Sequence, residues 1–127
     1  MGNGYRGYKD LNVYKLSYQM ALEIHEISKT FPPEEKFSLT DQIRRASRSI
    51  PTNIAEAWKK RQYPKAFVSK ISDSAGEAGE VEVWLDFSRD FQYITVEKHD
   101  YFMNNYDEIN KMLFGIMNKP EKFCVQC

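Results

Sequence analysis

Apolar residues recur at helical spacing along four separate stretches of the chain. In the first, Val13, Leu16, Met20, Ile24, Ile27 and Phe31 follow one another at intervals of 3, 4, 4, 3 and 4, which aligns them on one helical face. This predicts a helix from about Asn12 to Thr30, with Asn12 as its N-cap. It ends before Pro32-Pro33, which disfavour helical backbone at Phe31 and offer no N–H.

The second stretch, Leu39 to Arg61, follows Ser38, a good N-cap with Asp41 at the capping-box position. On a straight helix Leu39, Ile43, Ala46, Ile50, Ile54 and Ala57 fall in one apolar sector, and Arg44, Arg45, Arg48 and Lys59 fall together roughly opposite. Pro51 interrupts this pattern by removing one backbone hydrogen bond. The helix either kinks and continues, or breaks and restarts with Asn53 and Glu56 forming an N-x-x-E box. The apolar phase continues across Pro51, which favours a kink.

Pro64 suits the first turn of a third helix, which runs to about Arg89 or Phe91. Phe67, Ile71, Ser74, Ala78, Val81 and Leu85 form its core stripe. Gly76 and Gly79 lie inside it, either for close backbone approach or merely tolerated at a cost of about 1 kcal/mol each. Trp84, Phe87 and Phe91 lie on a different side, and three large aromatics off the core stripe predict a second buried surface, either a widened core or a subunit interface, with the interface favoured because aromatics are enriched in interface cores. In the fourth helix Thr95 is the expected N-cap and Phe102, Tyr106, Ile109, Leu113 and Ile116 the core face, with an end before Pro120. Four amphipathic helices joined by short links predict an all-α, antiparallel up-down-up-down four-helix bundle with a Pro51 kink in helix 2. The bundle is expected over residues 11–119. Residues 1–10 read as a flexible arm and residues 120–127 as a C-terminal tail.

At 127 residues the chain is long enough for one domain with its own core. Its net charge is zero, but the charges are segregated. Residues 40–70 hold eight basic side chains against two acidic ones, and residues 71–108 hold two basic against ten acidic. Such asymmetry fits either pairing within a bundle or between subunits, or a basic surface for phosphate. Arg44, Arg45 and Arg48, joined by Lys59, Lys60, Arg61 and Lys65 at the turn between helices 2 and 3, are the candidate phosphate contacts. Tyr5, Arg6, Tyr8 and Lys9 in the arm are of kinds that stack on and neutralise nucleic acid, although so short a segment more often is just a chain end. No recognition-helix or RNP motif points to base-specific readout.

Catalytic and cofactor signatures are lacking. His25-Glu26 has no second histidine for a zinc motif, no Glu-x-x-His pair suggests a di-iron bundle, and no glycine-rich phosphate loop or nucleophile elbow occurs. His25 and His99 read as ordinary surface or flank residues. Asn53 and Glu56, at the border of the apolar stripe, read as structural hydrogen-bonding groups. Cys124 and Cys127 make a lone C-x-x-C at the chain end, too little for a disulfide framework or a zinc site. No apolar run approaches the roughly 20 residues of a membrane span, and no signal-peptide core is present. The expectation is a cytoplasmic, non-enzymatic protein with no metal, cofactor or small-molecule substrate.

Several short motifs resemble a known family, the four-helix-bundle proteins of 23S rRNA intervening sequences, which are related to the accessory variability proteins of diversity-generating retroelements. Phe31-Pro32 followed by Phe37-Ser38-Leu39 resembles an fP-x-x-E-x-(F/Y)-G-L pattern, with Ser38 in place of glycine. Residues 42–46 match QIRRA, and residues 49–56 match SIPxNIAE, with Ala57 replacing the usual glycine. Gly76 and Glu80 resemble G-S-x-x-E with Glu77 for serine, and Gln92-Tyr93-Ile94 resembles a closing G-Y-L. The similarity runs from about Leu11 to Leu113. It implies a cytosolic, non-enzymatic bundle that assembles as a homopentamer, with some relatives thought to bind nucleic acid through basic surface.

Overall fold

In the computed structural model, which describes residues 4–124, four helices form: α1 Asn12–Ser28, α2 Leu39–Lys59, α3 Pro64–Asp90 and α4 Val96–Asn118. Short 3₁₀ turns cover Tyr8–Asp10, Pro33–Glu35 and Pro120–Lys122, and no strand occurs among the described residues. The fold is all-α.

Side-chain bonds record how the helices pair. Arg44 Nε donates to Ser28 Oγ at 2.7 Å, and Arg48 Nη2 donates to His25 Nδ1 at 3.0 Å, joining α2 to α1. Between α2 and α3, Ser74 Oγ donates to the buried Ile50 carbonyl at 2.9 Å, and Lys70 Nζ reaches Glu56 at 3.1 Å and Asn53 Oδ1 at 3.4 Å. Asn110 donates to Glu82 at 2.8 Å and His99 meets Asp86 at 2.7 Å, linking α3 to α4. In each of these pairs the residue numbers rise along one helix as they fall along its neighbour.

The core stripes of α2, α3 and α4 include the residues their periodicity predicts: Ile43, Ile50, Phe67, Ile71, Phe102, Ile109 and Leu113 are all essentially fully buried. Each such side chain contributes roughly 1.5–3 kcal/mol of burial free energy. The stripe of α1 is rotated slightly from the expected one. Val13, Ser17, Met20, Ile24 and Ser28 are buried, while Leu16 and Ile27 lie at the margin. Ser17 and Ser28 fit the interior because their hydroxyls donate back to the Tyr14 and His25 carbonyls, at 3.1 and 3.0 Å, leaving a small, satisfied surface.

α2 runs as one helix from Leu39 to Lys59 with Pro51 inside it. It does not restart at Asn53, whose Nδ2 donates to the Ser49 carbonyl at 2.9 Å as an interior helical residue. Ser49 and Thr52 also donate to the carbonyls of Arg45 and Arg48, at 2.9 and 2.8 Å. These donors go to carbonyls flanking that of Ser47, the carbonyl to which Pro51 offers no N–H.

Two expected caps differ. The N-cap of α1 is the buried Leu11, with Asn12 already helical and no side-chain cap bond. At α2, Ser38 occupies the cap position but does not cap, and Asp41 closes no capping box. Instead the Glu35 carboxylate accepts from Ser38 Oγ and, at 3.2 Å, from the Leu39 amide, and its other oxygen accepts from the Tyr93 hydroxyl at 2.8 Å. One side chain thus satisfies the helix start and ties it to the α3–α4 connection. The Ser38 hydroxyl, then that of Tyr93, holds the Glu35 pKa below its ordinary value. Glu35→Ala is expected to cost about 1–2 kcal/mol. Because the folded pKa is lowered, that stabilisation is full above the ordinary glutamate range and is lost as pH falls through the folded value. Urea denaturation of both proteins at neutral pH and at pH values below about 4 checks this: the gap should narrow in acid.

The turn after α3 uses Gln92 at φ 65°, where Tyr93 N donates to the Ser88 carbonyl at 2.8 Å. Glycine is the natural residue for this left-handed closure. By contrast, a Cβ at Gly79 would meet nothing within 4 Å, so that glycine is not required by packing within the chain. Gln92→Gly and Gly79→Ala, opposite exchanges, are each expected to raise stability by about 0.5–1 kcal/mol, read as a higher denaturant midpoint at unchanged slope.

Candidate nucleic-acid interface

The predicted basic residues fall into two groups along α2. Arg44, Arg45 and Arg48 lie near its start, and Lys59, Lys60, Arg61 and Lys65 lie at its end and the turn into α3. Eleven residues of helix, about 16 Å, separate Arg48 from Lys59. Arg45, Arg48, Lys59, Lys60 and Lys65 are exposed, and Arg44 and Arg61 half-buried.

The electrostatic partners of these side chains are few. Arg45 approaches Asp41 at 3.9 Å, both exposed, and it also lowers the pKa of Glu77 on α3, which burial, Glu80 and Asp73 together push up. Arg61 lays its guanidinium on the Trp58 ring, 3.7 Å from the centroid, and donates to the Trp58 carbonyl at 2.9 Å. Trp58 is buried, which positional periodicity did not suggest. Among the described residues, Arg44, Arg48, Lys59, Lys60, Arg61 and Lys65 form no ion pair with a carboxylate, whereas Lys70 bridges to Glu56 and Asp73 and Arg89 to Asp86 and Asp90. Among the described residues the stripe therefore forms no ion pair with the acidic helices of the same chain, although the field of Arg45 reaches Glu77.

Between the two basic groups, α1 and α2 leave an open groove of about 460 Å³, lined by Tyr8, Tyr14, Tyr18, His25 and Arg48 together with Pro51, Thr52 and Ala55. A guanidinium only donates, so the His25 Nδ1 accepts from Arg48 and the ring carries its proton on Nε2. The sequence signal for this groove was Tyr14 and Tyr18 at helical spacing four, which the core stripe did not use.

A family model for the 23S rRNA-intervening sequence protein matches residues 9–115. The chain belongs to the 23S rRNA-intervening sequence protein family. A crystal structure of a protein of unknown function from the S23 ribosomal protein family of Bacteroides thetaiotaomicron is 34% identical, with 84% of this chain and 95% of that one covered and a TM-score of 0.75. No curated protein matches the chain. In this intervening-sequence protein the QIRRA and SIPxNIAE segments make one continuous helix, supplying both the core stripe and three of the arginines.

A second set of aromatics, away from the groove, forms a series of ring contacts from α3 to just beyond the end of α1. Trp84, Phe87 and Phe91 succeed one another at ring distances of 5.9 and 5.7 Å, and the series continues through Tyr93 to Phe31 at 5.5 Å per step. Phe87 and Phe91 are 43% and 51% exposed, and beside them a cleft of about 420 Å³ is lined by Glu35, Leu39 and Gln42.

Of the two histidines, His25 lies in the groove. His99 is buried, not on the surface, with Asp100 at 2.9 Å and Asp86 at 2.7 Å facing its two ring nitrogens. Hydropathy carries no core signal at this position, because burial is made tolerable by two carboxylates, one from the next residue and one from α3. Among the described residues no group of three His, Cys, Asp or Glu could hold a metal ion, and no helix is long and apolar enough to cross a membrane. Cys124 is half-buried, and Cys127 lies outside the described residues.

Proposed function

We propose that this intervening-sequence protein is a non-enzymatic, cytoplasmic, homo-oligomeric helical bundle that binds RNA or DNA backbone through the basic stripe of α2 and the α2–α3 turn. The observation that carries this is the set of cations without carboxylate partners among the described residues: Arg48, Lys59, Lys60 and Lys65 are exposed, and Arg44 and Arg61 are held by neutral groups. Such a surface lowers its own electrostatic repulsion by taking up phosphate and releasing counterions. The exposed aromatic ladder supports assembly of like subunits, as an up-down-up-down bundle whose Trp84, Phe87 and Phe91 face a neighbour. A pentamer is the number that the resemblance implies.

Light scattering with and without a short single-stranded RNA, at low and high salt, tests both parts. The expected result is an oligomer that gains the mass of RNA at low salt and loses it at high salt. A protomer-sized mass with no gain at low salt would refute the proposal. A second reading is favoured by the segregation of charge, with ten acidic and two basic side chains in residues 71–108: the stripe pairs with acidic helices of a neighbouring subunit. It predicts that Arg44→Glu with Arg48→Glu dissociates the oligomer whether or not RNA is present.

A further inference from the structure

The groove between α1 and α2 has a composition that backbone binding alone does not use. Three phenol rings are set in steps along it: Tyr8 meets Tyr14 at 5.0 Å and 68°, and Tyr14 meets Tyr18 at 5.8 Å and 32°. Tyr14 is partly buried and packs against the core, so its ring is held in place, while Tyr18 is half exposed. Both stand on one helix, four residues apart and so on one face. Opposite them, α2 contributes Arg48, whose guanidinium is oriented by His25 and retains further N–H donors. The groove volume of about 460 Å³ lies in the range of small-ligand sites.

We propose that this groove holds an unstacked base of single-stranded RNA, the base lying against Tyr14 and Tyr18 and its phosphate meeting Arg48. The inference deepens the backbone-binding proposal and rests on it. Flat, uncharged rings bordered by a guanidinium complement a planar base joined to an anion. A peptide of acidic character would use Arg48 but not the rings, and an apolar peptide would use the rings but leave Arg48 desolvated without an anion. Arg48 also belongs to the basic stripe, so a strand following that stripe passes the mouth of the groove. Bases in a duplex are already stacked on one another and cannot enter, which makes the site selective for single strands.

The test uses the full chain and a ten-nucleotide RNA carrying 2-aminopurine, single-stranded or annealed to its complement. Tyr14→Leu with Tyr18→Leu keeps apolar volume and helix propensity, and Tyr14→Phe with Tyr18→Phe keeps the rings; circular dichroism melts verify that both fold. The expected result is tighter binding of the single strand than of the duplex, with 2-aminopurine fluorescence quenched. The leucine pair should weaken single-strand binding by about tenfold or more, with the salt slope and duplex affinity unchanged, and the phenylalanine pair should retain both affinity and quenching. Salt-dependent RNA binding that the leucine pair leaves intact overturns the groove assignment and spares the stripe. If no RNA binds at all, the stripe proposal fails; 2-aminopurine riboside monophosphate quenched by the wild type but not by the leucine pair then upholds the groove, and no quenching overturns it too. A change in oligomer mass with the leucine pair, without any change in fluorescence, assigns the groove to a second copy of the chain and also overturns the inference.

Discussion

Replacing Arg45, Arg48, Lys59 and Lys60 together by glutamine is expected to weaken binding of short single-stranded RNA by roughly 10²–10³-fold at about 0.1 M salt. Each neutralised phosphate contributes about 0.7 to the logarithmic salt slope for a single strand, so four lost contacts remove most of the electrostatic affinity and bring the slope toward about −1. The fold should survive. These four side chains are exposed, their single ion pair is the long Arg45–Asp41 contact at 3.9 Å, and an exposed pair of that kind is worth at most about 1 kcal/mol. Glutamine has nearly the helix propensity of lysine and arginine. Arg44 is left out because it is half-buried and its Nε holds the buried Ser28 on α1; the bond of Arg48 to His25 also crosses to α1, but at the exposed surface, where its loss costs less. Filter binding across a salt series, with denaturation midpoints as the control, measures the effect; wild-type affinity in a folded quadruple variant would remove the stripe from the account.

Phe87→Glu is expected to separate the proposed oligomer into protomers. Phe87 lies in the middle of the Trp84–Phe87–Phe91 series and exposes 43% of its surface, so a charge there costs the protomer little. In an assembly the same carboxylate would be desolvated against aromatic rings with no partner. Residues at the centre of an interface commonly contribute 2 kcal/mol or more, which corresponds to a rise in the dissociation constant of about thirtyfold at the least. Sedimentation at micromolar protein should show the shift, with the melting curve of the separated protomer still cooperative. An unchanged mass would place the interface elsewhere and leave the ladder as exposed surface only.

Much of this molecule is legible from spacing alone. The apolar phases of α2, α3 and α4 determine their buried faces because each is a long run in which a single residue of slippage would expose several aliphatic side chains. The α1 stripe is less legible: Ser17 and Ser28 are buried in it, and a hydropathy pattern cannot see that their hydroxyls are satisfied by their own helix. The Glu35 cap was hidden for a related reason. Its three bonds depend on the 3₁₀ turn that swings it back over Leu39 and on Tyr93, which is 58 positions away. Composition likewise supplied the arginines and lysines as individuals but not the groove. Tyr14 and Tyr18 become a site only when α1 is laid beside Arg48, and no local pattern carries that juxtaposition. His99 follows the same logic in part, since one of the two carboxylates on its ring, Asp86, comes from the preceding helix.

The phosphate-binding stripe is the central claim, and its salt dependence is the property least easily produced by anything else. Fluorescence anisotropy of a labelled single-stranded RNA titrated with the wild-type protein, repeated between about 50 and 300 mM salt, should give a log–log slope of about −3 to −5, the value for roughly five phosphates. An affinity independent of salt, or no binding at the lowest salt, would contradict it.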